Sequence, residues 1–422
     1  MRKKHFLFAS VLALLCGSSA LHAQDFKLTS SGYFKNQGVD IMAFDDIYPE
    51  GHQGGVCIIM NGHRVATNGD IRLEATPGQW QPVPKQLDRK LGDNSITATL
   101  CYPDSSRHLT GFNPMIYPDL HLIYTVNVES KGKNIEVTVD LDRPIPQEFI
   151  GKVGFNLEFF PGSLFGKPWI MDGQSGIFPQ QPNSPLMTTQ PNYLHTGNYH
   201  DGKQSLADMD KLIGKGYSPI VADDIISEPY AKGRKFTSRP DDPYNKVTIE
   251  SLSGDLQLFD GRMNHNNGWF VLRSNIKPGV TKGAVKWIIT PNVVADWMYQ
   301  PVIQTSQIGY HPAQDKEAVI EMDIRDNRKE TAQIIRIDAD GEKVVKNVTP
   351  ANWGKFLRYN YLKVDFTDVK EPGLYKIKYD TSVSPIFRID NDVYARGVWQ
   401  PVLEYFLPVQ MCHMRVNEKY RV

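Results

Sequence analysis

Residues 120–141 read LHLIYTVNVESKGKNIEVTVDL, and their alternation decides the fold class. Leu122, Tyr124, Val126 and Val128 fall on one face of an extended chain, with His121, Ile123, Thr125 and Asn127 on the other. Ile135, Val137, Val139 and Leu141 repeat the pattern, with Glu136, Thr138 and Asp140 turned outward. Side chains in a strand alternate between faces, so a period of two with one apolar side predicts half-buried strands. The polar, glycine-containing link from Glu129 to Asn134 joins them as a hairpin.

The same reading extends in both directions. Val56-Cys57-Ile58-Ile59-Met60 is a buried-strand run that stops at the turn Asn61-Gly62. A second strand-rich stretch runs from Val247 to Ile289, through Leu256-Gln257-Leu258-Phe259 and Trp269-Phe270-Val271-Leu272. Regular short strands separated by turn signals predict an antiparallel sandwich, and their number calls for one large sandwich over residues 24–300. Between the strand groups, Pro161 to Pro243 is irregular and rich in Pro, Asn, Gln, Gly and His. Long loops in compact domains often carry function. Trp169, Tyr193, His195 and Tyr199, with His200, read in two ways. They form part of a sugar-binding surface, with aromatic faces stacked on sugar rings, or they pin the loop to its own sandwich.

Composition agrees with this class. A chain of 422 residues holds two or three domains, and 41% apolar with 22% charged residues excludes a disordered or collagen-like chain. Lys+Arg and Asp+Glu balance at 47 each, which leaves no electrostatic footprint for nucleic acid or an anionic membrane. Residues 1–23 are an export leader: Arg2, Lys3 and Lys4, then an apolar run from Phe6 to Cys16, then the cleavage site Leu21-His22-Ala23. That run is too short to span a bilayer. Cys16 raises lipid attachment as an alternative, against which bulky Leu15 stands. Cleavage removes three basic and no acidic residues, turning a net charge of zero into −3. The cysteines that remain, Cys57, Cys101 and Cys412, are odd in number and widely spaced, neither a disulfide framework nor a zinc site. Cys57 and Cys101 read as buried free thiols, with one bridge between them as the alternative. A bacterial periplasm, cell surface or exterior suits this cysteine use.

Near Pro301 the register changes. Glu317 to Asp323 is a strand, Gln333 to Lys346 is a hairpin turning at Asp340-Gly341, and Leu362, Val364 and Phe366 alternate. Pro372-Gly373-Leu374-Tyr375 leads into a further strand, and Ile386 to Ile389 closes the set. Seven short strands over residues 301–391 predict an Ig-like sandwich. Tyr375, just after Pro-Gly, is placed as a corner tyrosine whose hydroxyl binds backbone. Beyond it, Asp392 is an N-cap, and Val393, Val398, Val402, Tyr405, Phe406, Val409 and Cys412 fall at helical spacing, with Pro401 and Pro408 as kinks. An apolar helix face has to be buried against something. Residues 392–422 therefore read as the beginning of a domain that these residues do not complete.

Catalytic patterns are lacking. There is no His-Glu-x-x-His, no phosphate loop and no Gly-x-Gly-x-x-Gly, and Gly173-Gln174-Ser175-Gly176 has the wrong spacing for a nucleophile elbow. Asp45-Asp46, Asp223-Asp224 and Asp241-Asp242 are adjacent pairs, which point to opposite faces of a strand or cap turns. No metal ligand set and no cofactor is expected.

The last third nonetheless carries a resemblance. Ser306-Gln307-Ile308-Gly309-Tyr310-His311-Pro312 followed by Lys316-Glu317-Ala318-Val319-Ile320 resembles the opening of the Ig-like module that precedes the catalytic domain in family 9 glycoside hydrolases. Pro372-Gly373-Leu374-Tyr375 and Phe387-Arg388-Ile389 fit its later strands. Asp392-Val393-Tyr394, Leu403-Glu404-Tyr405-Phe406 and Gln410-Met411-Cys412 resemble the linker and first helix of the family's (α/α)6 barrel. Residues 24–300 resemble the extra N-terminal domain of some Bacteroidetes-type members. The resemblance implies an inverting β-1,4-glucan endohydrolase whose acids lie in an Asp-Ala-Gly-Asp-type motif and a later glutamate. No Asp-x-Gly-Asp occurs in this sequence, so no catalytic residue carries over. The expectation is a mainly β chain, inactive alone: the non-catalytic, N-terminal part of such an enzyme. Its partners would be a β-glucan polysaccharide and a barrel absent from these residues. A stand-alone carbohydrate-binding or adhesion protein is the alternative, and a fragment without function the third reading.

Overall fold

The computed structural model describes residues 25–45, 54–74, 76–77, 84–102, 120–183, 186–188, 225–263, 268–395, 397–413, 415–417 and 420–421. The protein is mainly β, and its chain divides into two compact units between Trp297 and Met298.

The first unit is built on two nine-stranded antiparallel sheets. In one, the order is Lys27–Leu28, Phe34–Asn36, Val39–Ala43, Val56–Met60, His63–Leu73, Val153–Phe159, Phe270–Asn275, Leu256–Asp260 and Ala231–Gly233. In the other it is Gln174–Ile177, Pro168–Met171, Lys235–Ser238, Val247–Ser251, Val285–Pro291, Asn134–Leu141, Ile123–Lys131, Ser95–Cys101 and Lys85–Leu91. The hairpin expected around residues 129–134 is present, but its strands run on to Lys131 and resume at Asn134, leaving a two-residue turn. Gly132 supplies the positive φ such a turn needs, at +67°.

One apolar cluster fills the space between the sheets, with Ile41, Ile71, Phe155 and Leu272 from the first and Leu100, Val126, Val137 and Ile249 from the second. Phe155 meets Trp287 edge-to-face at 5.0 Å across the layers, and Trp287 Nε1 donates to Ser274 Oγ at 3.0 Å, so the one polar atom of the indole is satisfied. Cys57, which is buried, and Cys101, which is half-buried, are not joined to one another, which removes the bridge alternative.

The second unit pairs Val302–Gln304, Glu317–Asp323, Tyr359–Asp365 and Ala351–Phe356 in one sheet. Gly341–Val348, Ala332–Asp338, Gly373–Tyr379 and Ser382–Val383 form the other, with Phe387–Ile389 also paired to Gly373–Tyr379. Ile320, Met322, Ile334, Leu362, Val364, Tyr375 and Ile377 close its core. This is the Ig-like sandwich expected from the strand spacing.

The helix differs from its expected bounds. It covers Gln400–His413 and does not start at Asp392, whose carbonyl instead accepts from Ala395 N in a turn. Gly397 lies between, at φ +75°, a conformation no helix contains. Val393 is a buried residue of that turn and not the first rung of a helical stripe. Pro401 falls in the first turn, where a missing N–H costs nothing, and Pro408 lies in the interior without ending the helix. Among the described residues no helix is long and apolar enough to cross a membrane.

Candidate functional site

Trp169 sits on the Pro168–Met171 strand, opposite Gly176. The glycine leaves room for the indole: a Cβ at Gly176 would stand 2.4 Å from the ring. Tyr230 stacks on Trp169 at 6.5 Å, and only 6% of the tryptophan is exposed. The Tyr230 hydroxyl lies 3.0 Å from Asp260 Oδ2 and 2.9 Å from Asn183 Oδ1. Arg262 grips Asp260 with two parallel bonds, Nε to Oδ1 at 2.8 Å and Nη2 to Oδ2 at 2.9 Å. It also donates to the carbonyls of Pro179 and Gln180, and its guanidinium lies over the rings of Phe165 and Phe270. Trp169 thus belongs to a set of side chains that staples the segment before residue 184 to the sandwich. Tyr193, His195 and Tyr199 lie outside the described residues.

A second cluster, not anticipated from the sequence, lies on three central strands of the first sheet. Asp70, Asn156 and Arg273 stand side by side in register, flanked by Arg72, Glu74 and Glu158, and all are buried. On Val153–Phe159, Phe155, Leu157 and Phe159 belong to the sandwich core, so Asn156 and Glu158 alternate to the opposite face. Arg273 directs its five N–H donors to Asn275 Oδ1, Glu74 Oε1, Asn156 Oδ1 and the carbonyls of Glu74 and Lys152, at 2.7–3.2 Å. Gly154 makes this arrangement fit, because a Cβ there would stand 2.8 Å from Arg273 Nε.

Burial pushes the Glu74 carboxyl up to about 7, against the pull of Arg273 and Arg72. Burial likewise pushes Asp70 up to about 6, against Arg72 and its hydrogen bonds from Ile71 N and Tyr124 Oη. Among the described residues Asp70 Oδ2 accepts no hydrogen bond, and Arg72 Nη1 is 3.9 Å away. Such groups hold or release a proton near neutrality. Their oxygens, however, are engaged by protein donors or enclosed, and the described residues leave no room for a substrate between them. The cluster acts on stability. Its sequence signal was Asp70, Arg72 and Glu74 at every second position, along the His63–Leu73 strand and just past its end.

The surface of the second sheet carries a groove of about 260 Å³ lined by Lys235, Lys246, Thr248, Glu250, Thr290 and Asn292. Lys235 and Glu250 neutralise one another across it at 3.8 Å. Of the adjacent carboxylates, Asp242 caps a turn, accepting from Arg239 Nη2 and Asn245 Nδ2 and from the Tyr244 N–H.

In the second unit the residues that carry the sequence signature have structural tasks. Gly309 has φ +97°, and a Cβ there would stand 2.4 Å from the Arg388 carbonyl oxygen. Tyr310 N donates to that carbonyl at 2.9 Å, and Asp390 N returns a bond to Tyr310 O at 3.0 Å, tying the opening of the unit to its last strand. The Tyr310 hydroxyl accepts from Ser306 N and donates to Glu317 O. Lys316 is buried, and its ammonium donates to the carbonyls of Pro312 and Gln314. Tyr375 Oη donates to Glu371 O at 2.7 Å, the corner bond expected of it.

Residues 298–384 match the family described as the cellulase N-terminal Ig-like domain, so this part of the chain is cellulase-related. Three solved structures are similar over parts of the chain. A metagenome-derived glycoside hydrolase family 9 endoglucanase is 31% identical over 21% of this chain and 18% of its own, with a TM-score of 0.19. A family 9 glycoside hydrolase of Bacteroides ovatus is 25% identical over 28% of this chain and 20% of its own, with a TM-score of 0.21. The protein HI1317 is 8% identical over 63% of this chain and 98% of its own, with a TM-score of 0.24. The matched parts thus span no more than a fifth of either glycoside hydrolase. No curated protein matches the chain.

Proposed function

We propose that this chain is the non-catalytic, N-terminal part of an exported, cellulase-type enzyme that hydrolyses β-1,4-glucan. The observation that carries the reading is the match of residues 298–384 to the cellulase N-terminal Ig-like domain. In this reading residues 1–23 direct export, residues 24–300 form an N-terminal sandwich and residues 301–391 the Ig-like domain. Residues 392–422 lead into a catalytic barrel.

The lack of an Asp-x-Gly-Asp in the 422 residues supports a non-catalytic role. Inversion at a glycosidic bond needs two carboxyl groups with a water between them. Asp242 is engaged in its turn, and Glu74 lies under Arg273 and Asn156. Neither is placed to activate water on a polymer.

The test is hydrolysis of a soluble β-1,4-glucan by the 422-residue chain, beside a version extended through the downstream reading frame. Reducing ends should appear only with the longer protein. Hydrolysis by the 422-residue chain would overturn the reading, as would a downstream frame without the acid motif.

A further inference from the structure

The outer face of the Val302–Gln304, Glu317–Asp323, Tyr359–Asp365 and Ala351–Phe356 sheet is polar at one end, where Lys363 pairs with Glu317, and aromatic at the other. Ala318, Ile320 and Met322 turn inward, which leaves Val319 and Glu321 on the outer side, and Glu321 pairs directly with Tyr361. Tyr361 meets Trp353 edge-to-face at 5.6 Å and Tyr359 at 6.1 Å, and Tyr359 meets Tyr299 at 5.2 Å. Four aromatic rings therefore run in contact around one carboxylate. Tyr299 Oη donates to Glu321 Oε1 at 3.0 Å, and Tyr361 stands directly opposite Glu321 on the neighbouring strand.

Trp353 is 60% exposed, and its position is built. The pairing of the Ala351–Phe356 strand with its neighbour slips between Asn352 and Gly354, so Trp353 is the extra residue of a bulge with no partner opposite. Gly354 takes φ +129° to permit it. Bulges on edge strands re-aim a side chain, and this one turns an indole outward. At the hairpin tip Leu357 holds a left-handed backbone, φ +51°, while 79% exposed. Exposed apolar groups held at a conformational cost mark an interaction surface.

We infer that this aromatic face, with Trp353 at its rim and Glu321 at its centre, binds a β-linked glucan chain. The inference rests on the cellulase-type reading above. A pyranose with equatorial hydroxyls has two C–H faces and a polar rim, which are the two chemistries interleaved here. Ring faces carry partial negative charge and attract C–H groups. Glu321 retains lone pairs beyond the one that Tyr299 uses, and the Tyr299 hydroxyl that donates to it still has lone pairs to accept from sugar hydroxyls. An apolar protein partner would instead strip water from the carboxylate without supplying donors, which is costly. The interleaving therefore favours a glycan.

Affinity electrophoresis of the full chain through gels containing barley β-glucan, hydroxyethyl cellulose or pullulan tests it, with Trp353→Ala and Glu321→Gln as variants and circular dichroism as the control for folding. The two β-glucan gels should retard the parent chain, pullulan should not, and Trp353→Ala should weaken the β-glucan interaction at least tenfold. Glu321→Gln should weaken it less. Retardation of the parent and of Trp353→Ala alike would overturn the site and leave the enzyme reading intact. No retardation, with hydrolysis by the extended protein, would do the same. Equal retardation by pullulan would refute the β-linkage. Should Trp353→Ala instead impair only hydrolysis by the extended protein, without affecting retardation, the face docks protein and the inference fails.

Discussion

Gly309 shows what the signature Gln307-Ile308-Gly309-Tyr310 is for. Its backbone has a positive φ and approaches the Arg388 carbonyl more closely than any side chain would allow, and Tyr310 depends on that approach for its bond. Gly309→Ala should cost the second unit about 2 kcal/mol or more, from backbone strain and a displaced last strand. Chemical denaturation followed at Trp353 and Trp399 would show it, and an unchanged midpoint would refute the assignment. Asp70 offers the complementary case. Its folded carboxyl titrates near 6 against an ordinary 3.8, so the folded state binds the extra proton. That contribution to stability is complete below about pH 4, declines as pH rises, and is lost above about pH 6, on the order of 3 kcal/mol. Glu74 repeats the trend between 4.5 and about 7. Asp70→Asn keeps an acceptor for Tyr124 and cannot ionise, so its denaturation midpoint should fall less than the parent's between pH 4 and 6. Parallel slopes would dismiss the buried carboxylate as the cause. The corner role of Tyr375 was readable because Pro-Gly marks a strand entry. The Asp70 cluster was not, since alternating charges in a strand signal a wet face unless another layer covers them.

Strands were more legible than their ends. The 120–141 hairpin was read on the correct faces because Tyr124, Val126, Val137 and Val139 supply a clear period of two, whereas its turn was placed too wide. The C-terminal helix was read seven residues too long at its start. Val393 and Val398 match a helical spacing by coincidence, and Gly397 outweighs that pattern by taking a left-handed backbone. The bulge at Trp353 had no sequence signature except the glycine after it. Around Gly354 there is open space, so only its φ of +129° resists a side chain. Gly354→Ala should therefore cost only about 1–2 kcal/mol. It should nevertheless draw the edge strand back into register and turn Trp353. The expected result is a folded protein with weakened retardation by β-glucan. If Gly354→Ala leaves retardation unchanged, the bulge does not aim the indole.

Both units close their own cores, the first around Phe155 and Trp287 and the second around Ile320 and Tyr375, and each is a sandwich the strand spacing anticipated. What neither core absorbs is the start of the Gln400–His413 helix. Val402, Leu403, Tyr405 and Phe406 are each more than half exposed. At 3.6 residues per turn these four positions fan over an arc of about 160°, a broad apolar face of the kind that packs against neighbouring elements. Covering them is worth about 1.5–3 kcal/mol each, and self-association gains the same surface when nothing else does. A chain that stops after Ala395 keeps the buried Val393 and removes these four side chains. It should be more soluble and more monodisperse than the 422-residue chain, with both denaturation transitions preserved. Light scattering and sedimentation at matched concentrations decide the point. Equal monodispersity would mean that the helix is already covered in solution, and the case for a catalytic barrel packed on it would lose its physical motive.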